Sequence, residues 1–313
     1  MSLAQDPLRP PPSPARLALS GNLMCMASML AWAAGFPAAE TLLTRWEPLP
    51  LITARFLLSI LMLLPLWVVL DGPRAVLRAN WPRGVAVGGL GFGLGAWLLL
   101  VAQSLTDPVT VAIIASATPV AGTVLEMLQD GRRLGAGFVL GLVASVVGGA
   151  IAVSGPAGGG ALALGAATAV LACFLFVWGS RASVKGFPEL SNTGRTTITL
   201  AGGLVATGAI FLAAWALGLS ALPEGGWQPG EAGQLAVYAL ASMAISQLLW
   251  IAAVGRLGVA LAAFHVNVAP FYVMVLMLAM GGGWSWRQAL GAAIVALGVI
   301  VAQAPPRRAR LAD

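Results

Sequence analysis

The sequence predicts an all-α polytopic membrane protein with ten transmembrane helices in two inverted five-helix repeats. Three observations predict it: the composition, the lengths of the uncharged runs, and an internal repeat. Fifty-nine per cent of residues are hydrophobic and 9% are charged, where a soluble domain carries about 25% charged residues. A chain of this length at that ratio lacks the polar side chains to cover a soluble surface.

The elements follow in order. Residues 1–16, "MSLAQDPLRPPPSPAR", are proline-rich and expected as a disordered cytoplasmic tail. A cleaved leader is the competing reading, but the next apolar stretch is long enough to span and further spans follow it. Residues 17–39 form the first uncharged run, and 49–70 the second, interrupted by Arg55. Residues 84–106 and 108–125 supply the third and fourth spans. Residues 134–180 hold no formal charge, and "SGPAGGG" (154–160) splits them into the fifth and sixth with turn chemistry. Residues 196–223, 232–255, 257–286 and 288–306 complete the ten. Several of these runs exceed the roughly 20 apolar residues that cross a bilayer. The first repeat is set at 17–155, the second at 156–303, and 304–313 form a basic cytoplasmic tail.

The net charge of +6 invites a nucleic-acid reading, but its distribution answers otherwise. Numbering the loops alternately puts fourteen basic residues on one side and three (Arg45, Arg55 and Arg287) on the other. That positive-inside bias places both termini in the cytoplasm of an inner-membrane protein. The two cysteines, Cys25 and Cys173, fall inside different spans, so no disulfide framework is implied.

The repeat rests on five ordered matches. "ITAR" (52–55) matches "NTGR" (192–195), and "MLAWAAGFPAAE" (29–40) matches "FLFVWGSRASVK" (174–185) with Trp32 over Trp178. "LLLVAQSLTDPVTVAII" (98–114) lies over "LLWIAAVGRLGVALAAF" (248–264), Pro119 over Pro270, and "GLVASVVG" (141–148) over "GAAIVALG" (291–298). Five helices per copy is odd, so the second copy enters the membrane inverted. Secondary transporters use that architecture, with the substrate near the midplane between the halves.

"WGSRASVK", the proline-centred helices at 119 and 270, and "GLVASVVG" with "GAAIVALG" resemble the EamA unit of the drug/metabolite transporter (DMT) superfamily. The whole chain is similar to its ten-helix members, most of all to the YddG-type exporters of aromatic amino acids and related metabolites. The first copy reads "WAAG" in place of the tryptophan-glycine-serine element. The resemblance implies metabolite efflux by alternating access, with no cofactor. A lipid bilayer and a small solute are the implied partners and nucleic acid is not; the oligomeric state is left open, a monomer included.

Candidate binding residues are the uncommon polar and aromatic groups inside spans. His265 is the only histidine, set in a stretch (257–286) without one Lys, Arg, Asp or Glu. It shares a helical stripe with Tyr272, and a cavity wall is the functional reading of both. The competing reading is a neutral imidazole satisfied by a backbone carbonyl. Asn267 pairs across the repeat with Ser116, each three residues before its proline. Pro119 and Pro270 are expected to kink their helices and free the carbonyls of Ala115 and Val266 beside a cavity. Trp32 and Trp178 are read as pore lining, with the interfacial aromatic belt as the alternative. Gln103 in span three, and Tyr238, Ser242 and Ser246 in span eight, either line a wet path or bond helix to helix.

Capture of a carboxylate is one reading of Arg55; the favoured one is that, as an Arg near a helix end more often does, it snorkels to the interface. The small-residue stripe Gly137, Gly141, Ser145 and Gly148, with Gly291 and Gly298 as a sparser one, is read as close helix packing outside the transport core. No Asp or Glu sits at mid-membrane, which favours neutral or zwitterionic solutes and leaves proton coupling open. An intramembrane enzyme would need a nucleophile with a base or a buried acid pair, and the sequence offers little of either.

Overall fold

The computed structural model describes residues 14–131, 136–153, 160–225 and 228–303. Every regular element among them is helical. Four helices long and apolar enough to cross a membrane come first: α1 (Ala15–Leu43), α2 (Pro48–Asp71), α3 (Trp81–Leu105) and α4 (Pro108–Gln129). After the shorter α5 (Ala136–Val153) come four more, α6 (Gly160–Gly186), α7 (Asn192–Ala216), α8 (Glu231–Leu257) and α9 (Leu261–Ala279). A shorter α10 (Trp286–Gln303) follows. The sequence predicts ten crossings, and eight helices meet the length. The apolar parts of α5 and α10 are Val139–Ile151 and Trp286–Val301, roughly 20–24 Å at 1.5 Å per residue against ~30 Å of hydrocarbon.

Local chemistry fixes several ends. α4 starts where Asp107 caps the Val109 and Thr110 amides at 3.0 and 2.9 Å, with Pro108 in the first turn. α7 starts four residues before its uncharged run, because Ser191 Oγ accepts from the Gly194 amide at 3.0 Å. It ends at Ala216, just before Gly218 turns to φ +68°. The run 257–286 also shortens, α9 stopping at Ala279 before Gly281 at φ +89°.

The two prolines separate helical pieces. α4 breaks at Ser116–Ala117, and Pro119 occupies the first turn of the next piece. The carbonyl of Ala115 accepts from the Thr118 hydroxyl. In α9 a 3-10 segment, Phe264–Val268, precedes Pro270, and the Val266 carbonyl accepts from the Ala269 amide. α3 and α8 carry wider π segments, Gly88–Leu94 and Val237–Ile245. Each is buried on much of its surface.

Packing is close where glycines allow it. A Cβ on Gly88 would lie 1.9 Å from the Thr199 carbonyl oxygen, so only a bare backbone lets α3 meet α7 there. α5 and α10 pack antiparallel, Gly148 against the Gly291 carbonyl and Gly137 against that of Val301. α1 and α8 are antiparallel as well. Gly21 meets Leu257 at one end of that pair, and Arg45 Nη1 meets Glu231 Oε1 at 2.5 Å at the other.

Candidate functional site

α1–α4 and α6–α9 converge on a central cavity with about 740 Å³ of empty space, counted out to its open mouth. Each of these eight helices contributes lining residues, and among the described residues α5 and α10 contribute none. The break in α4 supplies Ala115 and Thr118, and the 3-10 segment of α9 supplies Val266. The π segment of α8 supplies Ser242 and Met243. Much of the remaining wall is apolar: Met29, Phe92, Phe176 and Leu200 among others. A second, smaller hollow shares Trp32, Arg55, Ala96, Leu99 and Ser242 with the first. It extends the space towards Phe36, Gln103 and Tyr238.

Among the described residues, Arg55 is the only charged one in either lining. The snorkelling expectation is corrected here: its side chain turns inward and the residue is 6% exposed. Nε donates to the Tyr238 carbonyl at 2.8 Å, and Nη2 donates to the carbonyl and hydroxyl of Ser242 at 3.1 and 2.7 Å. The guanidinium carbon lies 3.9 Å from the centre of the Tyr238 ring, a cation–π distance. The wider turns of a π segment leave backbone carbonyls free for such outside donors. Ser59, one turn along α2, donates to the Ala239 carbonyl at 2.8 Å. Arg195, which the sequence matches pair with Arg55, does something else, bonding the Phe187 and Pro188 carbonyls in the α6–α7 loop.

α1 approaches α8 at the same level. A Cβ on Gly35 would lie 2.0 Å from Ser242 Oγ, and Ser242 Oγ donates to the Trp32 carbonyl at 3.0 Å. Gln103 Nε2 donates to the Phe36 carbonyl at 2.9 Å and to Glu40 Oε2 at 3.2 Å, closing α3 onto α1.

The residues singled out in the sequence divide into two groups. Trp32, Ser242, Ser246, Gln103 and Tyr238 border the cavity or its extension. His265, Asn267, Tyr272, Ser116 and Trp178 are in neither lining. His265 Nδ1 sits 3.3 Å from the carbonyl of Ala262 on its own helix. Asn267 is 8% exposed, and its Oδ1 has no hydrogen-bond partner among the described residues. Ser116 Oγ donates to the Ile113 carbonyl at 2.6 Å inside the α4 break. Tyr272 packs among apolar side chains of the core.

Trp178 packs against the cluster of Trp67, Val87 and Phe187. Two residues on a helix differ by roughly 200°, so Phe176 takes the cavity face and Trp178 the other. Phe176 is the lining aromatic of α6, 5.4 Å from the Trp250 ring. Within "FLFVWGS" the sequence offers three aromatics, and nothing in the string tells which one faces inward.

Comparison with known proteins fits this architecture. Residues 19–154 match the EamA-like transporter family. The EamA-like match points to a membrane transporter of the DMT type. A solved structure titled only "Crystal structure of protein" shares the fold, with a TM-score of 0.68 at 18% identity. The alignment covers 91% of this chain and 96% of that one. No curated protein matches the sequence.

Proposed function

We propose that the protein is an inner-membrane exporter of small zwitterionic metabolites, most of all neutral and aromatic amino acids. In this reading it works by alternating access about a midplane cavity between two inverted five-helix repeats. The observation that carries it is the convergence of α1–α4 and α6–α9 on one space from which α5 and α10 are absent. Four helices from each half around a shared cavity is the arrangement an inverted-repeat transporter needs.

The matching anatomy of the halves supports the repeat. α3 and α8 each carry a π segment, and α4 and α9 each break just before a proline. The EamA-like match ends at residue 154, one residue beyond α5. Ten crossings, with both termini cytoplasmic, follow from counting α5 and α10 and from the loop charges. The choice of solute rests on the cavity wall, where one guanidinium stands among apolar and hydroxyl groups. Sugar phosphates and nucleotide sugars, with two or more negative charges, would call for a more basic wall, and cationic drugs for an acidic one.

Uptake of radiolabelled amino acids by proteoliposomes, with and without an imposed pH gradient, tests this reading. Saturable uptake of several neutral amino acids is the expected result. Transport confined to quaternary cations or phosphorylated sugars would exclude it.

A further inference from the structure

Arg55 has a feature that its packing role leaves unexplained. Nε and Nη2 are committed to the π segment of α8, while Nη1 has no acceptor among the described residues. Nor does any carboxylate there pair with this guanidinium, the recorded ion pair being Arg45–Glu231 at the helix ends. A buried cation held by carbonyls, a hydroxyl and a ring face still lacks its counter-charge. The residue lines both hollows where they join, so a ligand in either reaches it.

From this geometry we infer that Arg55 is the receptor for a ligand carboxylate, and that the carboxylate, not the amino group, is what the cavity recognises. The fixed Nε and Nη2 hold the guanidinium plane, so Nη1 meets an incoming anion without further ordering. Among the described residues the linings hold no Asp or Glu, so an ammonium group finds no formal counter-charge from them. Met29, Phe92, Phe176, Leu200 and Met243 offer apolar and aromatic surface to the rest of the molecule. The ligand class is therefore a monocarboxylate with an apolar tail, amino acids included and their deaminated analogues equally so. This deepens the transport reading and rests on it for the cavity being a substrate site.

The test uses purified full-length protein and four matched probes: L-phenylalanine, 3-phenylpropanoate, L-phenylalaninamide and 3-phenylpropanamide. Binding is read by tryptophan fluorescence and thermal stabilisation, and uptake is read separately in proteoliposomes. Both acids are expected to bind, and each amide at least about tenfold more weakly, the usual size of a lost charge-assisted hydrogen bond. Arg55→Gln removes the acid-over-amide preference, and Arg55→Lys restores part of it.

Equal binding of acids and amides to the wild-type protein overturns the inference, and needs no variant to fold. So does a full acid preference surviving in Arg55→Gln, or no binding of any probe. Phenylalanine uptake indifferent to the carboxylate overturns it while the transport reading stands. Acid binding through Arg55 without uptake of any probe leaves it standing and removes the transport reading.

Discussion

Ser28 and Ser246 hydrogen-bond each other in both directions across the contact of α1 with α8. Ser28 Oγ donates to the Ser246 carbonyl at 2.9 Å, and Ser246 Oγ donates to the Ser28 carbonyl at 3.1 Å. The hydroxyls stand 3.2 Å apart, and Ser246 also borders the cavity. The pair thus fixes the separation of two cavity-forming helices. Polar bonds of this kind contribute about 0.6 kcal/mol on average between membrane helices. Ser28→Ala and Ser246→Ala should each lower stability by about 0.5–1 kcal/mol. The double variant should lose less than the sum, since either deletion already disturbs the shared pair. Unfolding titrations in mixed micelles measure this, and strictly additive losses would show the hydroxyls to be independent.

Gly35 tests the close approach of the same helices higher up. A side chain there collides with Ser242, which also holds Arg55. Gly35→Val is expected to cost about 1–3 kcal/mol, the usual range for overpacking, and to abolish uptake. Gly149 has nothing within 4 Å of its added Cβ. Gly149→Ala is the matched control, expected within about 0.5 kcal/mol of wild type. Thermal unfolding of the two purified variants separates steric from general glycine effects.

His265 is expected to be silent. Its Nδ1 faces a carbonyl of its own helix, and the residue lies outside both hollows. His265→Ala should leave initial uptake within about twofold of wild type, less than ~0.5 kcal/mol, and leave its pH profile unmoved. A shifted profile between pH 5 and 8 would return the imidazole to the mechanism.

Trp32 and Trp178 are matched by the sequence comparison of the two halves and lie in different places in the fold. Trp32 lines the cavity, and Trp178 packs in the Trp67 cluster. Trp32→Ala should weaken solute binding by tenfold or more, about 1–2 kcal/mol for a lost aromatic contact. Trp178→Ala should lower thermal stability by about 3 kcal/mol and spare affinity in the protein that remains folded. Parallel binding and melting curves distinguish the two roles.

The membrane class was legible in the sequence because hydrocarbon imposes one rule everywhere: an uncharged run of sufficient length must be helical. The site was legible only in part. Ser242, Ser246 and Tyr238 share a helical face by their spacing; Tyr238 and Ser242 meet Arg55, and Ser246 meets Ser28. Arg55 itself was misjudged, because depth was read from its distance to a helix end. Its acceptors are α8 carbonyls in a π segment, and a 3.6-residue period cannot display a π turn. His265 falls outside both linings for a related reason. Its stripe with Tyr272 assumes about 100° per residue, whereas Phe264–Val268 is a 3-10 segment that turns about 120°.

The π segments of α3 and α8 hold one residue more per turn than an α-helix would. That surplus is slack wound into the two helices. Returning Val237–Ile245 to α geometry would let it out, advancing the rest of α8 by about 1.5 Å and swivelling it by roughly 100°. Ser246 and Gln247 would leave the wall, and their neighbours would take their places. Arg55 grips the carbonyls of Tyr238 and Ser242, both within that segment. The guanidinium is therefore a clasp on the slack, its bonds made to the segment in its π form.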